Sequence, residues 1–458
     1  MRVKYIYQYL IAKEKYDLNT SKTASILTLG CRVNQYESDF ITHSLSKKGY
    51  SIVPFGTPAD VTVVNTCTVT AESDRKSRQM IRRAVSASPD AIVIVTGCYA
   101  ETGTDTISSI NGVTYVTGNA KKSSIPDIID SLVAGSSVKV NVEDLNRAPF
   151  DSMMLPSPER IRSYIKIEDG CDNRCSYCII PSARGKVRSR PYDEIVCEAS
   201  SLYSAGALEV ILTGIETASY GRDFEREAYY GESLAKVIRG VSEIGFPRIG
   251  LGSLEPTVMN DGFVSQISTI STLMPHFHIS VQSGSSGVLR RMRRRYNSDM
   301  LRSSIARLKV AIPDVTLSAD IITGFPGETE EEFRETLEFI KETRFLHLHI
   351  FPYSIRRGTE AATMSRQLSG DIKSERLHIL SDAQKVIKRE LLDLYVADHR
   401  DTPVKVLAET ETDGVLHGHS EHFVEVSFEG KAELIGKICN VILTGYDGDV
   451  CFGKIATE

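Results

Sequence analysis

Cys171, Cys175 and Cys178 form C-x3-C-x2-C within GCDNRCSYCIIPSARGKVRSRP. Nine cysteines scattered at random through such a chain would give this spacing about 0.003 times. Thiolates are soft ligands, suited to zinc or to an iron–sulfur cluster. A zinc ribbon needs a paired knuckle, and no fourth Cys or His lies nearby. Three thiolates on one short loop can instead hold three irons of a [4Fe–4S] cube and leave the fourth iron open. Cys31, Cys67 and Cys98 form a second set, each two or three residues past a predicted strand in LTLGC, VVNTC and VTGC. Loops at the carboxyl ends of parallel strands share one sheet edge, so these thiols can converge. Taken singly, each reads as a core thiol; the repeated placement argues for a site. Cys197, Cys439 and Cys451 read as ordinary buried thiols.

The elements that must position these cysteines follow from the apolar pattern. Short β-rich runs at 25–29, 61–64, 92–95 and 113–116 alternate with helical stretches 36–48 and 73–87, which predicts a doubly wound parallel sheet over 24–145. Gly30 and Gly97 stand just before two of the cysteines and permit tight turns. The proline-bearing stretch 146–160 reads as a linker. A second β/α series, with strands at 164–167, 209–212, 248–251, 278–281, 316–322 and 347–351, predicts a partial β/α barrel over 160–392. Its active site would lie at the carboxyl ends of the strands, so the C-x3-C-x2-C loop follows the first of them. A long helix over 371–395 then leads to period-2 runs at 404–408, 423–428 and 434–443, a small all-β barrel over 394–458.

The chain has 458 residues, 25% of them charged, with a net charge of −5. No apolar run approaches the roughly 18 residues needed to span a bilayer. Residues 1–20 carry charges throughout and lack a signal-peptide core. An odd number of cysteines in so long a chain speaks against a disulfide-stapled secreted scaffold, so reduced thiols and a cytoplasmic location are expected. Residues 394–458 hold 5 Lys or Arg and 12 Asp or Glu, a net of −7, so the remaining 393 residues net +2. Such a module is a poor phosphate binder over its whole surface.

The cysteine loop after a barrel strand resembles that of the radical S-adenosylmethionine enzymes. The resemblance implies that the open iron chelates the cofactor and that an electron from the cluster yields a 5′-deoxyadenosyl radical. TLGCRVNQYES at 28–38, NTCTVTAESDRKSRQMIRRA at 65–84 and TGCYA at 96–100 are similar to the N-terminal domain of the methylthiotransferases within that group. There the three cysteines bind a second [4Fe–4S] cluster whose open iron holds the sulfur that is transferred. The similarity runs from about residue 24 to the C terminus, where the β module resembles a TRAM domain. GCRVNQYES, TAESDRKSRQ and FPYSIRRGTEAA at 351–362 most resemble the branch acting on N6-threonylcarbamoyladenosine beside the tRNA anticodon. The isopentenyladenosine branch typically reads GCQMN at its first cysteine. Glu216, in TGIETASYG, stands where the threonylcarbamoyladenosine branch often carries His. The resemblance implies two [4Fe–4S] clusters, S-adenosylmethionine, a tRNA anticodon stem-loop as substrate, a flavodoxin- or ferredoxin-like electron donor and a sulfur donor left unspecified. The rival readings are a methylthiotransferase acting on isopentenyladenosine in tRNA or on a ribosomal-protein aspartate, the latter favoured by the acidic module, and a non-catalytic RNA-binding iron–sulfur protein.

Polar residues at strand ends are candidates for holding the cofactor: Ser253, Glu255, Gln282 and Asp320, whose carboxylates and amides can accept from ribose hydroxyls or an ammonium. Ile322–Pro326 (ITGFP) resembles the strand that contacts adenine in the radical enzymes, which implies backbone rather than side-chain contacts. Arg75, Arg78 and Arg82 on one predicted helix, Arg188 and Arg190 past the cysteine loop, and Arg294 and Arg295 in RRMRRR are candidates for RNA phosphate contacts.

Overall fold

The computed structural model describes residues 22–137, 139–224 and 232–456; the charged stretch 1–20 lies outside them. They group into two units. One runs to Met154 and includes Ser182–Arg184; the other comprises Leu155–Pro181 and the chain from Gly185.

The first unit is built on β1 (Thr23–Thr28), β2 (Ser51–Ile52), β3 (Val61–Thr66), β4 (Ile92–Gly97), β5 (Tyr115–Thr117) and β6 (Val140–Asn141). All pairs are parallel, in the order β2-β1-β3-β4-β5-β6. The central runs VTVVNT and IVIVTG are buried almost throughout, as strands covered on both faces must be. The winding reverses between β1 and β3, the kind of switch point at which open sheets bind ligands. Helices Arg32–Lys47 and Ala71–Ala87 leave the carboxyl ends of these strands. Thr70 caps the second by accepting from the Ser73 N–H, and Glu72 and Asp74 fill its first turn, where they face the positive helix end.

In the second unit the barrel strands are β7 (Arg162–Lys166), β10 (Glu209–Thr213), β11 (Arg248–Leu251), β12 (His276–Gln282), β13 (Thr316–Thr323) and β14 (His347–Pro352). Between β7 and β10 come β8 (Glu168–Asp169) and β9 (Arg188–Ser189). β11-β10-β7 and β12-β13-β14 are parallel triplets. Bridges Ile249↔Leu273 and Leu254↔Ile279 join them, giving the expected six strands. One detail differs: β8 leaves the barrel and pairs antiparallel with β9. The cysteine loop therefore hangs from a hairpin, not directly from the first barrel strand.

Helix Gly370–Asp398 leads to a closed barrel of β15 (Val404–Thr412), β16 (Val415–Ser420), β17 (Glu425–Glu429), β18 (Ile438–Asp447) and β19 (Val450–Ile455). This module seats on the amino ends of the barrel strands. Arg162, which opens β7, pairs with Glu409; Arg248, which opens β11, lies 3.6 Å from Glu421. Thr316 donates to the His422 carbonyl at 2.6 Å, and the His276 and Phe423 rings stack at 4.8 Å. Two of the module's acids thus neutralise arginines inside the fold, which accounts for part of its negative count.

Candidate functional site

At the β1/β3 switch point, Cys31 is the N-cap of helix Arg32–Lys47 and Cys98 opens the short helix after β4. Cys67 follows β3, and a Cβ on Gly30 would lie 3.1 Å from its sulfur. Buried Asn34 joins two of the loops by donating to the Leu29 carbonyl at 2.7 Å and the Thr66 carbonyl at 2.9 Å. Burial pushes the Cys67 thiol up to about 11, and Cys67 feels the charge of both Cys98 and Cys31; desolvation raises Cys31, whose residue surface is exposed, and Cys98 adds to it. The three strand ends therefore bring these thiols into one site.

The second triad is held differently. The Cys171 N–H donates to the Gly185 carbonyl at 3.0 Å, and the Cys178 N–H closes a turn onto the Cys175 carbonyl at 3.1 Å. Ser176 is pinned by its N–H to the Met292 carbonyl at 3.0 Å and by its hydroxyl to the Arg291 carbonyl at 2.8 Å. The Ile180 N–H donates to Cys178 Sγ at 3.4 Å, and Arg294 Nη1 to Cys175 Sγ at 3.2 Å. Burial raises Cys171 and takes Cys178 up to about 12. Burial thus disfavours the bare thiolates of Cys171 and Cys178, and a cationic iron core would displace their protons.

Around this loop, buried carboxylates gather. Glu168 Oε2 accepts from the Glu216 N–H at 2.8 Å, and burial pushes the Glu168 carboxyl well up. Burial, then the Glu255 carboxylate, pushes Glu216 up to about 8 against the pull of Arg294. Among the described residues, Glu168 Oε1, Glu216 Oε1 and both amide atoms of Asn173 are buried without a hydrogen-bond partner. A polar cofactor would satisfy such atoms. Neither triad has all three Sγ atoms within 4.8 Å of one another. A single tetrahedral ion with Sγ bonds of about 2.3 Å would set them about 3.8 Å apart. Three thiols at each site are instead the donor chemistry that an iron–sulfur cube takes.

Residues 23–118 match the uncharacterized protein family UPF0004, and residues 165–340 match the radical SAM superfamily. The chain is 38% identical to the threonylcarbamoyladenosine tRNA methylthiotransferase MtaB of Bacillus subtilis, over 92% of this chain and 93% of that one. The MtaB of Thermotoga maritima is 37% identical, over 89% and 92%. This chain is a radical S-adenosylmethionine methylthiotransferase. The tRNA-2-methylthio-N(6)-dimethylallyladenosine synthase of Acetivibrio thermocellus is 30% identical, over 90% and 87%. In fold it is similar to the radical S-adenosylmethionine methyltransferase TsrM of Kitasatospora setae, with a TM-score of 0.54 and 14% identity over 75% of this chain and 74% of that one. Membership of the superfamily brings one [4Fe–4S] cluster and S-adenosylmethionine.

In this methylthiotransferase the strand-end candidates divide. Glu255 is buried and bound to Arg294 at 3.2 Å and to the Thr257 hydroxyl at 3.2 Å. Gln282 ends β12 with a φ of 66°, and Ser253 is half-buried just past β11. Asp320 faces His278 at 3.2 Å, both half-buried, with exposed His349 beside them.

Three of the arginines expected to touch RNA are instead internal. Arg190 is fully buried against Glu198 and Glu194, and Arg188 is buried near Asp169 at 3.7 Å. Arg294, whose side chain is 5% exposed, serves Cys175 and Glu255. Arg184, Arg188 and Arg190 after the cysteine loop thus enter buried ion pairs, not a phosphate surface. Arg75, Arg82 and Arg295 are exposed, while Arg78 is half-buried and donates to the Tyr99 hydroxyl. Arg190→Gln should therefore lower stability by about 3 kcal/mol, the cost of stranding a buried carboxylate. Thermal unfolding checks this; an unchanged melting temperature with weaker tRNA binding would restore the surface reading.

The sequence reading missed the network behind the first triad. Glu37 accepts from Arg184 Nη1 at 2.6 Å and from Lys122. Lys122 also donates to Asn65 Oδ1 at 3.0 Å, and Arg184 Nε donates to Cys98 Sγ at 3.2 Å. The one signal for it lay in Asn34 and Glu37, a turn apart on the helix that Cys31 starts.

Proposed function

We propose that this enzyme adds a methylthio group to C2 of N6-threonylcarbamoyladenosine beside the anticodon of tRNA. The observation that carries the reading is the identity gradient along the whole chain. It is 32–38% to five MtaB relatives and 30–31% to three dimethylallyladenosine synthases. Cys171, Cys175 and Cys178 would hold the cluster that meets S-adenosylmethionine, and Cys31, Cys67 and Cys98 a second [4Fe–4S] cluster for the sulfur. Loaded, the first site supplies a deoxyadenosyl radical, the reagent required by a C2–H bond that acid–base chemistry leaves untouched. Glu168, Glu216 and Asn173, with Ser253 and Gln282 at the strand ends, orient the cofactor through the polar atoms turned toward it. Asp320 and His278 hold polar character on the barrel strands. The adenine must leave its stack to reach this end of the strands, which an anticodon loop permits. Exposed Arg75, Arg82 and Arg295 contact phosphates.

The reading carries three modules, at 24–145, 160–392 and 394–458, a flavodoxin- or ferredoxin-like electron donor and a cytoplasmic setting. No helix among the described residues is long and apolar enough to cross a membrane. Mass spectrometry of tRNA nucleosides from a deletion strain tests the substrate. Loss of the methylthio form of threonylcarbamoyladenosine, restored by the gene, is expected. An unchanged profile overturns the reading, and loss of methylthio-isopentenyladenosine alone moves the enzyme to the neighbouring branch.

A further inference from the structure

Behind Cys31, Cys67 and Cys98, three ionisable side chains are fully withdrawn from solvent. Glu37, Lys122 and Arg184 each show 0% exposure. They form one cluster: Lys122 and Arg184 both donate to the Glu37 carboxylate, with Arg184 Nη1 at 2.6 Å and Nη2 at 3.2 Å. Arg184 also donates to Asn34, whose amide ties the loops before Cys31 and Cys67. Both cations meet the same buried carboxylate, and burial pulls Lys122 down. Buried charge of one sign is costly unless a counter-ion stands close. Arg184 reaches past Glu37 with Nε, 3.2 Å from Cys98 Sγ. Its buried guanidinium thus faces the sulfur side of the network as well as Glu37.

We infer that Arg184 is the positioning residue of the N-terminal cysteine site, where its buried cation balances the negative charge of the group those sulfurs hold. The inference rests on the two-cluster reading above. A cube held by three thiolates is anionic when oxidised and more so with an added electron or a fourth anionic ligand, and hydrogen bonds to its sulfurs raise its potential. Arg184 would therefore favour both the reduced cube and an exogenous thiolate at the open iron. A neutral residue there would disfavour both. Arg suits the place better than Lys because its fork serves Glu37, Asn34 and Cys98 together. In sequence it stands six residues past Cys178, so the loop of one cysteine site encodes the counter-charge of the other.

The test uses the full chain carrying Cys171→Ala, Cys175→Ala and Cys178→Ala, so that one cluster is observed, reconstituted anaerobically with iron and sulfide. Iron in this parent is measured first. A parent that binds none sinks the two-cluster reading itself, apart from any claim about Arg184. Arg184→Gln, Arg184→Met and Arg184→Lys are then compared by EPR-monitored redox titration and by titration with sodium methanethiolate. With about four irons retained, Gln and Met should shift the midpoint to more negative values. They should also weaken methanethiolate binding about 10- to 100-fold, the loss of one charge-assisted hydrogen bond, and Lys should recover most of both. An unchanged midpoint and affinity in Gln overturns the inference. So does Lys behaving like Met, which would mean that shape and not charge is what the site requires. If Met alone fails to hold iron, the Gln and Lys pair decides on the same criteria.

Discussion

Gly97→Ala should leave a chain that still cleaves S-adenosylmethionine but no longer transfers sulfur. Gly97 has a φ of 97° and a ψ of −171°, a region that is essentially glycine-only and costs other residues about 1–3 kcal/mol. Space is the larger obstacle. A Cβ there would lie 2.4 Å from the Thr66 carbonyl oxygen, 2.5 Å from the Thr66 nitrogen and 2.6 Å from Asn65 Oδ1. Two of these are backbone of β3, one residue before Cys67, and they have no rotamer to change. Relief requires β4 and β3 to part at their carboxyl ends, which moves Cys98 from Cys67 and takes the Asn65–Lys122 contact with it. Iron should fall from about eight to about four per chain. Methylthiolation should fall at least about a hundredfold, as disturbance of a metal site's support predicts, while 5′-deoxyadenosine formation with dithionite persists. Gly49→Ala is the control, with a φ of 87° and nothing within 4 Å of its Cβ; it should keep full iron. Retention of eight irons in Gly97→Ala would falsify the convergence of the three strand-end thiols on one cluster.

How far the sequence carried the architecture depended on how much signal each element holds. β3 and β4 announce themselves because a parallel strand buried on both faces is a continuous apolar run. Their cysteines could be placed because a strand end fixes where the next residue must go. β16 was missed, since VLHGHS puts glycine and two histidines where β-formers would stand; Gly418 is required there because a Cβ would lie 1.9 Å from the Leu407 carbonyl oxygen. Two-residue strands such as β8 and β9 have no period to read. The arginines failed for another reason: charge runs look alike whether they face water or bury against carboxylates, and the partners of Arg190, Glu194 and Glu198, stand on the next helix. Lys122 and Glu37 lie 85 positions apart, so nothing local marks them as partners.

Gly170→Ala should produce the complementary defect, loss of the radical step with the N-terminal site intact. Gly170 lies between β8 and Cys171 with a φ of 88°, and a Cβ would sit 1.9 Å from the Lys186 carbonyl oxygen, 2.5 Å from its carbon and 2.9 Å from the Gly185 oxygen. All three neighbours are backbone of the segment that closes the hairpin, and the Cys171 N–H is bonded to that same Gly185 carbonyl. Since β8 pairs with β9 through only Glu168↔Ser189 and Asp169↔Arg188, the hairpin yields before the barrel does. Cys171 then moves while Cys175 and Cys178 stay pinned through Ser176, and two thiolates are too few for a site-differentiated cube. Iron should drop to about four per chain, 5′-deoxyadenosine should become undetectable, and melting should fall by only a few degrees because the six barrel strands keep their pairing. Gly206→Ala, at a φ of 94° with open space around its Cβ, separates backbone strain from collision. It should cost about 1 kcal/mol and leave both irons and turnover unchanged. A Gly170→Ala enzyme that still forms 5′-deoxyadenosine at the wild-type rate would show that Cys171 does not depend on this hairpin for its place.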